Sequence, residues 1–228
     1  MAEPHLLVTR ADDVATVAFN RPDTRNAMSF EMAEEFVATM ADLGRDATLR
    51  AVVLTGVGRS FCSGANLAIL AEDAAHGAGL DVPAMARTQR GFYASFLTIR
   101  DLAVPTIAAI NGHAIGAGFC IALACDLRVA VDDAKLGMTF TRLGIHPGMG
   151  STHTLTKLVG PARAAELFFT GRVIDGTTAD GTFTVQPSEC LGACADAPVM
   201  LVNDRQMLSF MSNERLDELL ATLREAAK

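Results

Sequence analysis

Two glycine-rich turns of one design constrain this chain most: Arg59–Leu67 (RSFCSGANL) and Asn111–Cys120 (NGHAIGAGFC). Each follows an apolar run that reads as a buried strand, Ala51–Thr55 before the first and Thr106–Ile110 before the second. Small residues leave main-chain N–H groups open there. The second turn also leads into a helix, read over Phe119–Ala124, whose N-terminus favours an anion. Two N–H donors aimed at one point make an oxyanion hole, which stabilises a developing enolate or tetrahedral oxyanion. A substrate lying against the main chain requires small side chains. The competing reading is that these glycines only close tight turns. Nucleotide motifs do not fit: Gly56-Val57-Gly58 has Phe61 at its third glycine position, and no G-K-[ST] follows any turn.

Around these turns the chain alternates strand and helix. Residues 5–20 read as a hairpin, His5–Thr9 and Val14–Phe19 about Asp12-Asp13. Ser29 opens a helix with the stripe Phe30, Ala33, Phe36/Val37, Met40 and Leu43, stopped by Gly44. Residues 71–81 read as a mobile loop carrying solvated Glu72 and Asp73, and a helix follows at 83–101. Strands are expected at Asp126–Val131 and near 136–140, with Asp126 and Arg128 bracing the fold. Helices are expected at 150–158 and, with Pro161 in its first turn, at 161–169. The alternation predicts an α/β class with parallel strands.

Composition limits the partners. Half the residues are hydrophobic and 20% are charged, enough for a sizeable core. A net charge of −7 without a Lys/Arg block argues against nucleic acid and anionic membranes. No apolar stretch reaches a bilayer span, and residues 1–5 lack the design of a signal peptide. The expected location is the cytoplasm, where the five cysteines are thiols or ligands rather than disulfides.

The motifs carry a resemblance. Phe61–Leu67 (FCSGANL), Asn111–Gly118 (NGHAIGAG), Ala122–Arg128, Leu143–Thr152 and Leu167–Ile174 follow, in order, the pattern of the enoyl-CoA hydratase/isomerase (crotonase) family. The resemblance covers about residues 5–176 and implies a ββα spiral core that binds an acyl-CoA thioester without a separate cofactor. It implies oxyanion donors at the N–H groups of Ala65 and Ala117, with Gly64, Leu67, Gly116 and Gly118 against the substrate. It also implies a trimer-like homo-oligomer built through C-terminal helices, which are missing here. The family's two hydratase glutamates would stand at Cys120 and Phe140 of this chain, so hydration through a carboxylate pair is not expected. His146 and His113, as histidines, could substitute in proton transfer, or be structural. Cys120 could be a nucleophile near a helix start, or a small buried hydrophobe.

From Thr177 to Lys228 the pattern changes. Asp180–Val185 (DGTFTV), Glu189–Pro198 (ECLGACADAP) and Met200–Asp204 (MLVND) resemble the second half of the thioredoxin-like [2Fe–2S] subunit of NADH dehydrogenase. That resemblance implies metal ligands at Cys190 and Cys194, half of the four thiolates a cluster needs. Cys120 and Cys125 have the spacing of the missing pair, but on a helix they face different ways. Strands are expected at Thr182–Val185 and Val199–Val202, with a last helix bearing Leu216, Leu219, Leu220 and Leu223. The chain then divides into a 1–176 acyl-CoA-binding core and a 177–228 ferredoxin-like segment. Three functions are compatible with it: an acyl-CoA lyase or isomerase, an iron–sulfur electron carrier, or a non-catalytic chimera of the two.

Overall fold

The computed structural model describes residues 3–66, 82–175, 200–202 and 206–208. They belong to two compact units, Met1–Gly176 and Thr177–Lys228. In the first unit, β1 (Leu6–Ala11) and β2 (Val14–Phe19) form the antiparallel hairpin, turning at Asp12 with φ of 51°. Ala15, Val17 and Phe19 of β2 point into the core, whereas β1, a sheet edge, buries Leu6 alone.

α1 spans Phe30–Gly44, and the Ser29 side chain caps it by accepting a hydrogen bond from Met32 N at 3.2 Å. Its buried face is Met32, Ala33, Phe36, Met40 and Leu43. The expected stripe is thus displaced: Phe30 and Val37 are exposed, and Met32 takes the core position. The inner line of the helix runs through Met32, Phe36, Met40 and Leu43, at spacings of four and three residues.

β3 (Ala51–Gly56), β5 (Thr106–Ile110) and β7 (Leu127–Ala130) extend the hairpin into a sheet of order β1-β2-β3-β5-β7, parallel from β2 onward. A second sheet contains β4 (Ser60–Cys62), β6 (His113–Ile115), β8 (Leu136–Gly137) and β9 (Val173–Ile174), in that order. After the hairpin, each strand of the first sheet is followed by a short one in the other sheet and then by a helix. β3-β4 precedes α2 (Val82–Leu97), β5-β6 precedes α3 (Ala117–Ala124), and β7-β8 precedes α4 (Ser151–Thr170). This is the expected ββα winding. The glycine-rich turns are not wholly loop, because they hold β4 and β6, which pair parallel with each other. The strand expected near 136–140 stops at Gly137 and gives way to a 3-10 turn over Thr139–Leu143.

The core centres on fully buried Phe19, Phe36, Phe61 and Phe96. Phe19 stacks on Phe36 at 6.0 Å and meets Phe61 edge-on at 5.7 Å. Burying one such ring is worth about 1.5–3 kcal/mol. α4 is broken at Gly160 (φ 76°, ψ 163°) and restarts at Pro161, in line with the two helices expected there. Asp126 Oδ2 accepts from the Thr106 amide and hydroxyl, each at 2.8 Å. Arg128 donates to the carbonyls of Cys125 and Asp126, so this pair braces the sheet.

In the second unit, β10 (Met200–Val202) and β11 (Gln206–Leu208) form an antiparallel hairpin. Leu67, Glu72, Asp73, Thr182–Val185, Cys190, Cys194 and the expected last helix lie outside the described residues. No described helix is long and apolar enough to cross a membrane.

Candidate active site

The two glycine-rich turns touch main chain to main chain. A Cβ on Gly112 would stand 2.1 Å from the Arg59 carbonyl oxygen. Gly64 has φ of +95°, and a Cβ there would stand 2.7 Å from the Ile115 carbonyl oxygen and 3.4 Å from the Ala117 nitrogen. The approach is possible only without side chains.

Two asparagines fasten the first turn from either side. Asn26, fully buried with φ of 56°, accepts from Arg21 N at 2.8 Å. Its amide donates to the carbonyls of Val57 at 3.0 Å and Ser60 at 2.7 Å. Asn111 donates to the carbonyls of Gly56 at 2.7 Å and Gly58 at 2.9 Å, and its Oδ1 accepts from Gly56 N at 3.2 Å. Sequence reasoning included Asn111 in its motif but did not single out Asn26.

Beside this scaffold stand two main-chain amides, those of Ala65 and Ala117, that donate to no other backbone group among the described residues. Ala65 forms a parallel bridge with Met28, in which Met28 N donates to the Gly64 carbonyl at 2.9 Å and Asn66 N to the Met28 carbonyl at 3.1 Å. The Ala65 N–H lies between those bonds and points away from Met28, as alternation along an extended chain requires. Ala117 is the first residue of α3, where an amide has no partner within the helix. The first bond of that helix runs from Cys120 N to the Gly116 carbonyl at 3.1 Å. Both alanines line one cavity of about 580 Å³.

Gly64, Gly116 and Phe140 line the same cavity, Phe140 being buried. Gly118 instead packs on the main chain of Cys62, and Cys120 lies behind the wall with its thiol 3.9 Å from the Gly148 carbonyl oxygen. Burial pushes the Cys120 thiol up to about 12, so it is a neutral, buried group at physiological pH. His146 is exposed and outside the lining, whereas His113 is exposed and within it. Tyr93, Thr139, Arg25 and Arg142 belong to the polar part of the wall, with Thr24, Ser63 and Asn66. The sequence reading singled out none of Tyr93, Thr139, Arg25 and Arg142. Tyr93 stands on α2 beside the core residues Phe92 and Phe96, where helical periodicity reads an aromatic residue as packing.

The described cysteines do not fit an iron–sulfur cluster. Cys62, Cys120 and Cys125 are separately buried thiols, and Cys125 Sγ turns to the Ile121 carbonyl rather than toward Cys120. Among the described residues no three His, Cys, Asp or Glu side chains converge.

The profile of the enoyl-CoA hydratase/isomerase family matches residues 9–183, and that of the thioredoxin-like [2Fe–2S] ferredoxin matches residues 169–224. A Mycobacterium tuberculosis protein named as a probable enoyl-CoA hydratase is 44% identical over 157 residues, covering 68% of this chain and 59% of that protein. The enoyl-CoA hydratase structure from Bacillus anthracis is 35% identical with a TM-score of 0.68, covering 75% of this chain and 64% of that one. A Thermobifida fusca structure in complex with acetoacetyl-CoA is 35% identical with a TM-score of 0.65, covering 75% and 68%. The chain therefore spans about 59% of the length of the first of these relatives. Fold, paired glycine turns and sequence agree: over its first three-quarters this chain belongs to the enoyl-CoA hydratase/isomerase family.

Proposed function

We propose that residues 1–176 form an acyl-CoA-binding core that holds a thioester carbonyl on the N–H groups of Ala65 and Ala117 and stabilises its enolate. The observation that carries this reading is the pair of Ala65 and Ala117 amides on one cavity wall, neither of which donates to another backbone group among the described residues. Each donor aimed at a developing oxyanion lowers a barrier by about 3 kcal/mol. The acetoacetyl-CoA bound by the Thermobifida fusca relative is a ligand of this kind. With Cys120 and Phe140 at the positions the family pattern gives to glutamates, hydration through a carboxylate pair is not part of the reading.

The test is calorimetric titration of the full chain with butyryl-CoA, a thioester with nothing to react. Micromolar binding is expected, weakened at least tenfold in Ala117→Pro. Proline suits the first helical position while removing its N–H. A folded chain that ignores butyryl-CoA refutes the site.

A second reading is supported by the ferredoxin match at residues 169–224. In it, residues 177–228 are a separate segment whose Cys190 and Cys194 offer half a cluster site, joined to a core that does no chemistry. Anaerobic iron and sulfide reconstitution decides it: a stable visible chromophore that Cys190→Ser abolishes supports a shared cluster, and a colourless chain rules it out.

A further inference from the structure

A second cavity, of about 460 Å³, shares no lining residue with the cavity of Ala65 and Ala117. Its volume suits a small-molecule site. It is bounded by the 3-10 turn Thr98–Asp101 after α2, the openings of β5 and β7 at Thr106 and Arg128, and the first half of α4. α3 separates the two cavities along its length: its first residue, Ala117, lines one, and Leu123 and Ala124 at its end line the other.

The wall of this second cavity is cationic, in a chain whose net charge is −7. Arg100, Arg128 and Lys157 line it, with titratable His153 and a single acid, Asp126. Asp126 is already engaged, because its Oδ2 accepts from the Thr106 amide and hydroxyl. Arg128 is held by the carbonyls of Cys125 and Asp126 and acts as a fixed charge. Arg100, His153 and Lys157 differ from these two. Their side chains make no hydrogen bond or ion pair among the described residues, so their donors are open to solvent or to a ligand. His153 and Lys157 stand four residues apart on α4, which puts them on one face of that helix. Buried Ile99 and Leu123, with half-buried Leu102, add apolar surface to the same wall.

We propose that this cavity binds a small organic phosphate monoester, with its phosphate among Arg100, His153 and Lys157 and its organic body on Ile99, Leu102 and Leu123. Charge decides the head group. A phosphate monoester carries about two negative charges at neutral pH and three strong acceptor oxygens. Those oxygens match three donor side chains, whereas a carboxylate brings one charge and leaves the wall cationic. The planar fork of Arg100 can hold two phosphate oxygens at once, and Lys157 acts as a point charge. The apolar surface favours an ester over inorganic phosphate, which has nothing to bury there. The site stands independently of the thioester reading above.

The full chain, with its five histidines isotopically labelled, is titrated with phenyl phosphate and followed by NMR at the imidazoles. Saturable binding is expected to shift the His153 signals and leave those of His113, in the other cavity, unmoved; His153→Gln and His113→Gln assign them. Arg100→Gln and Lys157→Gln should each weaken binding about tenfold. Both side chains are exposed and without a partner among the described residues, so both variants are expected to fold, which circular dichroism checks. Benzoate, with the same ring and one charge, and inorganic phosphate, without the ring, should each bind more weakly than phenyl phosphate. Binding that does not saturate, that moves His113 in place of His153, or that is unchanged in both variants overturns the proposal. Benzoate binding as tightly as phenyl phosphate overturns the choice of head group, and inorganic phosphate binding as tightly overturns the apolar seat.

Discussion

Gly118 and Cys62 touch through their main chains: a Cβ on Gly118 would stand 2.2 Å from the Cys62 carbonyl oxygen and 2.7 Å from its carbonyl carbon. They belong to different ββα turns, 56 residues apart in sequence, and their contact brings the Ala65 and Ala117 amides to one cavity. The obstacle is backbone on both sides, so no rotamer change relieves it.

Gly118→Ala is therefore expected to cost about 3 kcal/mol or more in urea unfolding and to abolish butyryl-CoA binding. Gly91→Ala is the counter-case. Gly91 lies within α2 with nothing near its missing Cβ, and alanine there raises stability by about 0.5–1 kcal/mol.

Asn26→Ala removes three hydrogen bonds from a fully buried position and leaves the Arg21 amide and the Val57 and Ser60 carbonyls without that partner. A loss of roughly 2–4 kcal/mol in urea unfolding is expected. Butyryl-CoA binding should weaken as well, because the 57–60 segment carries the first amide's turn. Binding at parental affinity would show that the turn holds without its clamp.

The thiols of Cys62, Cys120 and Cys125 are each pushed up to about 12 by burial. The folded protein holds them neutral, whereas in the unfolded chain they ionise near 9. Their contribution is complete below about pH 9 and is lost as pH rises toward 12. The urea midpoint should fall progressively over that interval, and less steeply in Cys62→Ala. Native-state labelling of these three with a thiol reagent at pH 8 should proceed only as fast as the protein opens.

Asp46 titrates in the opposite sense. Its carboxylate accepts from the Thr48 hydroxyl at 2.6 Å and the Thr48 amide at 2.8 Å, and it pairs with Arg10. These partners, Thr48 first, lower its ionisation to about 2. The contribution is present above about pH 4 and disappears as pH falls through 2. Asp46→Asn should be less stable than the parent at pH 7, with the difference closing between pH 4 and pH 2 in thermal melts.

Local pattern by itself determined the hairpin, the Ser29 cap, the strands read at Ala51–Thr55 and Thr106–Ile110, and the two turns of small residues. Each of these rests on periodicity, capping or steric room, properties of neighbouring residues. Tertiary structure alone decided the rest. Ser60–Cys62 and His113–Ile115 became strands because they pair with each other across the spiral, and the second also with Leu136–Gly137. Met32 displaced Phe30 from the core because the sheet, not the helix, chooses which side faces inward. Asn26 and Tyr93 gained their positions from residues 31 to 55 places away, Val57 and Gly148 among them. Spacing along the chain carries no trace of such a contact, since it forms only when distant main-chain groups need partners and a cavity wall must close.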